Sequence, residues 1–241
     1  MIRIENTEVV GWEHAIRGMR NPMNSWSRSD SYYECEDGPC SECKHGDACS
    51  YWGKEYKIGP NDFDLMRRLA AGGPVHAKYR RMITVYVDIT APLYFWKEAD
   101  TYRMGVEKNS CSTMHKIHAK EFTLEDFSCE HLIKRDGDYW NWDIAAGPES
   151  VSAPLDILEI TIDALNTYRE KYIETKDKKY WYQMIQLLPS SYNQKRTVMM
   201  NYEVLTNIYH SRKDHKLDEW HVFCDWIKTL PYSVLIIGEE R

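Results

Sequence analysis

The most constraining stretch of the sequence is Met82–Ile89, MITVYVDI, followed by Thr90-Ala91-Pro92 and the aromatic run LYFWKEADTY. Ile83, Val85, Val87 and Ile89 alternate with Thr84, Tyr86 and Asp88, which puts one apolar set on one face of a strand. Pro92 then suits the first turn of a helix, where its missing N–H costs little. The pattern predicts a central strand over residues 82–90 running into a helix over 91–103. A half-buried strand needs covering, so the chain must lay helices on a sheet.

The remaining pattern supplies them. A short strand precedes a helix near Trp12–Met19, and Asn21-Pro22 ends that helix because a residue before proline leaves the α region. NDFDLMRRLAAGG reads as a helix capped by Asn61 or Asp62 and stopped at Gly72-Gly73. A long amphipathic helix starts at Leu155. Further helices are expected over 178–188, 196–210 and 217–229, punctuated by Pro189 and Pro231. The expected fold class is α+β with a helical C-terminal half, as a single domain over residues 1–241 carrying a Cys-rich insertion at about 31–55.

Composition excludes several classes of function. Hydrophobic residues make up 43% of the 241, which rules out disorder and supports a packed core. A formal net charge of -6 argues against broad nucleic-acid binding. No apolar run approaches the roughly 18 residues of a membrane span. The first residues lack the basic-then-apolar order of a signal peptide. The expectation is a cytoplasmic protein with no nucleic-acid or membrane partner and with mostly reduced cysteines.

Three segments carry candidate chemistry. In CEDGPCSECKHGDAC, Cys35, Cys40, Cys43 and Cys49 fall close together, with turns at Gly38, Pro39 and Gly46 and His45 as a spare ligand. Four thiolates so spaced can close a tetrahedral zinc site. An iron–sulfur cluster or a plain thiol loop fits the same residues. In NSCSTMHKIH, Cys111 with His115 or His118 offers a nucleophile pair, or the segment is an ordinary polar loop. In the expected helix over 196–210, Asn201 lies among Val198, Met199, Met200, Val204 and Leu205. A buried Asn must find hydrogen-bond partners, whether a ligand or a neighbouring loop. Arg212 at the end of that helix suits the dipole and can reach an anion, or is simply solvated.

The order ITVYVDITAPLYFWKEADTYRMG, NSCS, then LLPSSYNQKRTVMMNYEVLTNIYHSR resembles the flavin-dependent thymidylate synthase family, over about residues 61–115 and 183–233. Members have a strand ending near a proline and a helix ending in Arg-His-Arg. A loop reading Asn-Glu-Leu-Ser-Gly-Arg-Tyr follows, and later a Leu-Pro segment leads to a helix with Asn-Leu-Arg and a terminal arginine. Arg103 falls on the last signature arginine, while Thr101 and Tyr102 replace its Arg and His. Asn109 and Ser112 fit the loop's Asn and Ser with one residue inserted, and Met114 stands near the loop arginine. Asn201 and Arg212 match the later Asn and terminal Arg. Glu203 replaces an Arg, and Glu98 a Gln.

The resemblance implies an antiparallel sheet, a homotetramer, and reductive methylation of dUMP with FAD, NADPH and methylenetetrahydrofolate. It implies Ser112 as the catalytic residue and Arg103, Tyr102 and Asn201 at the cofactor. At a pyrimidine deoxynucleotide monophosphate it implies Glu98, Asn109, Ser112 and Arg212. An ionised Glu98 only accepts hydrogen bonds, so a cytosine nucleotide, whose amine donates them, is an alternative substrate. Arg80, Arg81, Lys97, Lys116, Lys195 and Arg196 are candidates for the missing phosphate cations. A non-catalytic, metal-binding interaction protein is the third reading. The abundance of Tyr (17) and Trp (9) suits interface cores. For the Cys loop, the expected outcome of metal analysis after exhaustive dialysis is one equivalent of zinc per chain; a value far below one makes it a plain thiol loop.

Overall fold

The computed structural model describes residues 2–35, 38–39, 55–134 and 153–238. In chain order it opens with β1 (Arg3–Val10), α1 (Trp12–Arg20), β2 (Tyr32–Cys35), β3 (Gly38–Pro39), β4 (Glu55–Lys57) and α2 (Pro60–Ala71). Next come β5 (Thr84–Pro92), α3 (Leu93–Ala99), β6 (Val106–Ser110) and α4 (Thr113–Lys116). The rest is α5 (Pro154–Thr175), α6 (Lys178–Leu187), β7 (Asn193–Asn201), α7 (Tyr202–Arg212), α8 (Asp218–Thr229) and α9 (Val234–Ile237). Four strands form a sheet in the order β1-β5-β7-β6, and three form a small sheet in the order β3-β2-β4. In the small sheet β2 runs antiparallel to both neighbours, with Tyr33 opposite Tyr56. The fold is mixed helix and antiparallel sheet, as expected, with β5 an interior strand. Of the proposed metal ligands, Cys40, Cys43 and Cys49 lie outside the described residues, and Cys35 is described in its backbone alone.

The chain divides into two compact units. The first comprises Met1–Arg3, Ile89–Thr101 and Asn109–Thr197; the second comprises Ile4–Asp88, Tyr102–Lys108 and Val198–Arg241.

In the first unit the long helix α5 buries Leu158, Ile162 and Leu165, spaced i, i+4, i+7 along one face. They pack with Met184 of α6 and with Ile117, Phe122 and Phe127. Pro154 sits in the first turn of α5, and Lys176 in the left-handed region (φ 57°) ends it. Asp177 then caps α6 by accepting the Lys179 N–H at 2.9 Å.

The strand-to-helix turn at Pro92 differs from the expectation in extent. Pro92 stays extended (φ -66°, ψ 153°) as the N-cap, and the helix runs over residues 93–99 instead of 91–103. Its first N–H groups need acceptors from elsewhere. The carbonyls of Tyr192 and Ser190 accept those of Leu93 and Tyr94, each at 3.0 Å. The Trp96 indole N–H donates to the Gln194 carbonyl at 2.9 Å. The helix stops at Ala99, where Thr101 turns its hydroxyl back onto the Glu98 carbonyl at 2.7 Å.

A larger correction concerns residues 196–210, expected as helix. Residues 193–201 are strand β7, and the helix spans 202–212. Val198 and Met200 are buried and alternate with the less buried Thr197 and Met199, so the true period there is two. The cluster VMMNYEVL hid this, because its apolar residues also fit a helix until pairing with β5 decides.

In the second unit α1 buries Trp12, Ala15, Ile16, Met19 and Arg20, one face of an amphipathic helix. Gly11 allows the turn from β1: its φ is 94°, and a Cβ there would stand 2.1 Å from the Met82 carbonyl oxygen. Asp62 on α2, the most deeply buried of this unit's described charged residues, is not the cap foreseen for that helix. Asp30 does the capping instead, accepting the Asn61 and Asp62 N–H groups at 2.9 and 3.1 Å. The fully buried Asp62 carboxylate accepts from Arg20 Nε (2.6 Å), the Ser29 hydroxyl (2.7 Å) and the Ser31 hydroxyl (2.6 Å). It also accepts the backbone N–H groups of Asp30 and Ser31, each at 3.1 Å. Burial alone pushes its carboxyl pKa up, but the bonds from Ser31, Ser29 and Arg20 and the Arg20 charge outweigh it and hold it below the usual value.

Because that pKa is depressed in the folded state, Asp62 contributes stability above the ordinary Asp pKa. The contribution fades as pH falls toward the lower folded value. Asp62→Ala strands the buried Arg20 and should cost about 3–5 kcal/mol in denaturant unfolding. The loss should shrink on acidification below pH ~4; a cost that is constant down to pH 2 would contradict the assignment.

Candidate functional site

The first unit carries a cleft of about 710 Å³ that includes Ser112 in its wall. Its cations are Arg3, Lys116, Lys120 and Lys195, and its carboxylates are Glu125 and Asp126. Lys120 is paired with Asp126. Among the described lining residues cations outnumber carboxylates, a balance that favours an anion. One wall is the segment Tyr192–Lys195, which is tied on both sides. The Ser128 N–H donates to the Ser191 carbonyl at 2.9 Å, and the Ser128 hydroxyl donates to Asn193 Oδ1 at 2.8 Å. Gln194 extends the tie, its amide donating to the Cys111 carbonyl at 2.8 Å while its Oε1 accepts from Arg196 Nε at 3.0 Å. Burial raises the pKa of Tyr192, so its phenol stays neutral.

Two atoms in this cleft bear on recognition. Thr90 Oγ1 is buried and has no hydrogen-bond partner among the described residues, although it lines the cleft. A buried hydroxyl normally has a partner, so Thr90 is suited to a ligand's polar edge. Ser112 Oγ accepts the His115 N–H at 3.0 Å as the N-cap of α4. That is the contact of a cap, not of a nucleophile with its base. His115 and His118, expected on one helix face, separate: α4 ends at Lys116, and the His118 ring packs edge-on against Tyr172 at 4.9 Å. Glu98 is half-buried on α3, while Asn109 on β6 and Cys111 are exposed. Glu98 and Arg103 do not share a helix, because α3 ends before Asp100.

In the second unit the structure joins two of the predicted residues, Tyr102 and Arg212. Arg212 Nε donates to the Tyr102 hydroxyl at 3.0 Å. The guanidinium lies 5.6 Å from the Tyr102 ring centre and 4.9 Å from that of Trp220. Arg212 is thus a half-buried cation held against two aromatic rings rather than a solvated end charge. Trp220 was not foreseen; nothing in its local pattern separates it from an ordinary core aromatic. Asn201 is the N-cap of α7, its Oδ1 accepting the Val204 N–H at 3.0 Å. Asn201 therefore ties down a helix start and is not an interior helix residue. Arg103 is exposed.

The proposed substitute cations differ in fate. Arg80 is buried and faces Glu203 at 3.9 Å, so its charge is answered within the second unit. Arg196 bonds Asp100 at 2.9 Å and stacks 4.3 Å from the Trp96 ring centre, serving the first unit's architecture. Lys116 and Lys195 line the cleft, whereas Arg81 and Lys97 are exposed. Thr90 and Gln194 are the site residues that the sequence reading missed. Period two puts Thr90 with Thr84, Tyr86 and Asp88 on the polar face, and that was its one signal. Gln194 had none.

Gly105 gives the test of the second unit's turn. Its φ is 74°, and a Cβ would come 2.8 Å from Asn201 Nδ2. Gly105→Ala should cost about 1–3 kcal/mol from the left-handed backbone alone, read as a lowered denaturant midpoint; no loss would mean that the turn relaxes freely.

Neither a comparison with known protein families nor one with curated proteins finds a match. Solved structures do match. The flavin-dependent thymidylate synthase ThyX of Helicobacter pylori, crystallised with FAD and dUMP, is similar with a TM-score of 0.60 and 16% identity. That likeness covers 98% of each chain. A second structure of the same enzyme with FAD and dUMP gives 0.59 and 15%, covering 99% of this chain and 98% of that one. The UMP/dUMP methylase PolB of Streptomyces cacaoi, bound with 5-Br dUMP, gives 0.53 and 13%, covering 95% of this chain and 89% of that one. At these identities the likeness establishes the fold.

Proposed function

We propose that this chain is a flavin-dependent methyltransferase of the thymidylate synthase type, acting on dUMP or a related pyrimidine deoxynucleotide monophosphate. The observation that carries the reading is the whole-length likeness to proteins crystallised with FAD and dUMP. The anion-suited cleft of the first unit supports it independently. Bound FAD would relay electrons from NADPH, with methylenetetrahydrofolate supplying the carbon.

The donor set fits such ligands. Lys116, Lys195 and Arg3 suit a nucleotide phosphate, for which cationic donors give strong charge-assisted bonds. The Thr90 hydroxyl, unpartnered among the described residues, suits a base edge, and the resemblance adds Glu98 and Asn109 to that role. Ser112 already accepts a hydrogen bond at its oxygen, which leaves its O–H to donate to substrate. This makes Ser112 a donor that orients the reacting nucleotide. In the second unit Arg103 is an exposed cation for the cofactor's pyrophosphate. Tyr102 holds Arg212, and Asn201 holds the start of the helix that carries it. Ile157 and Ile160 of α5, 49% and 46% exposed, suit an interface in the homotetramer that this reading includes, in the cytoplasm.

Flavin absorbance of the purified protein and titration with FAD, dUMP, UMP and dCMP test the proposal. FAD and dUMP should bind. Arg103→Ala should weaken FAD binding by about 1.5–3 kcal/mol, and Lys116→Ala should weaken dUMP binding by about 1 kcal/mol with FAD unchanged. Tighter binding of dCMP than dUMP would move the substrate to a cytosine nucleotide. If the wild type binds neither flavin nor nucleotide, the enzyme reading fails and the metal-binding interaction protein takes its place.

A further inference from the structure

The second unit carries another concavity, of about 560 Å³, which the nucleotide chemistry does not use. Its walls are aromatic: Trp12, Tyr33, Tyr56 and Tyr232. Glu8, Glu13 and His14 are its titratable neighbours besides the tyrosines, and among the described residues no lysine or arginine lines it. The rings meet in two edge-to-face pairs. Tyr33 and Tyr56 lie 4.8 Å apart at 67°, and Trp12 and Tyr232 lie 5.3 Å apart at 68°. Rings set across one another present π faces in more than one direction, each with its negative quadrupole.

The arrangement is held in place. Tyr33 donates its hydroxyl to Glu13 Oε2 at 2.7 Å, which fixes both a ring and a carboxylate. That bond, with burial, pushes the Tyr33 pKa up to about 12, so the phenol remains a neutral donor. Tyr232 has a left-handed backbone (φ 52°), an uncommon and costly state for a bulky residue. Its ring is clamped between Trp12 and Phe63, the latter at 5.4 Å.

The chemistry narrows the occupant. Two carboxylates among aromatic walls disfavour an anion. A hard divalent metal is held by clustered oxygen ligands, and among the described residues no group of three or more potential metal-ligating side chains converges here. An alkylated ammonium ion matches both features: its methyl groups bury against the rings while its diffuse charge meets the quadrupoles and a carboxylate. The volume is of small-ligand size.

We propose that the pocket formed by Trp12, Tyr33, Tyr56, Tyr232 and Glu13 binds a methylated ammonium group, with Glu13 as its counter-ion. The group is carried either by a free small molecule or by a methylated side chain. Calorimetric titration of the full chain tests this with choline, with its uncharged isostere 3,3-dimethylbutanol, and with a trimethyllysine peptide. Saturable binding of choline or the peptide is expected, with the isostere roughly tenfold weaker or worse. Glu13→Gln and Tyr56→Leu, each checked for an unchanged far-ultraviolet circular dichroism spectrum, should weaken binding by roughly the same factor. Tighter binding of choline identifies a free metabolite, and tighter binding of the peptide a modified protein tail. The proposal is overturned if neither cation binds or if the isostere binds as well as choline. Binding that survives Glu13→Gln overturns it too, and this comparison holds even if the Tyr56 variant fails to fold.

Discussion

The second unit is organised around one buried carboxylate. Asp62 receives five hydrogen bonds, from Arg20 at the end of α1 and from the segment Ser29–Ser31. A charge so deep in a protein costs several kcal/mol to desolvate unless every lone pair is answered. Here all the answers come from segments distant in sequence, so the carboxylate fixes where α1, the Ser29–Ser31 segment and α2 can lie. Asp30 strengthens the same junction by capping α2. The aromatic pocket draws on the same unit: Glu13 and Trp12 start α1, and Tyr33 and Tyr56 sit opposite one another on β2 and β4.

Strand-to-helix corners recur in both units and use the same physics. At Pro92 the helix's first donors are met by the carbonyls of Tyr192 and Ser190. At Asn201 the cap is the residue's own side chain, and the Tyr202 N–H goes to the Ile83 carbonyl at 3.0 Å. A helix that begins where a strand ends leaves orphan donors at a sheet end, and borrowed acceptors satisfy them. In the first unit the borrowed segment is also a wall of the cleft, so the capping and the placement of Tyr192 and Gln194 are one arrangement.

Charge is redistributed instead of simply lost. The sequence has fewer arginines at the expected signature positions, and the structure shows what the remaining cations do. Arg80 answers Glu203, Arg196 answers Asp100 and stacks on Trp96, and Arg212 lies against Tyr102 and Trp220. These arginines are partly or largely buried, where a planar guanidinium keeps its charge while packing on rings. The cations lining the cleft are chiefly lysines, compact ammonium groups on flexible stems, and Lys120 among them pairs with Asp126.

The sequence by itself determined the elements whose pattern has one solution. The alternation over 83–89 reads as a half-buried strand and the amphipathic pattern from Leu155 as a long helix, and both stand in the structure. The balance of few strands and many helices pointed to the α+β class, and the resemblance implied that its sheet is antiparallel. Where two periods fit the same residues, tertiary pairing decided. Residues 193–201 became a strand because β5 offers a partner, and Asn201 became a cap as a consequence. The partners of Asp62 and the stacking of Arg212 on Trp220 were likewise invisible in sequence. Each depends on groups brought together from far apart along the chain. Local propensity acts over a few residues, whereas a buried charge or a cleft wall depends on what the whole fold places beside it.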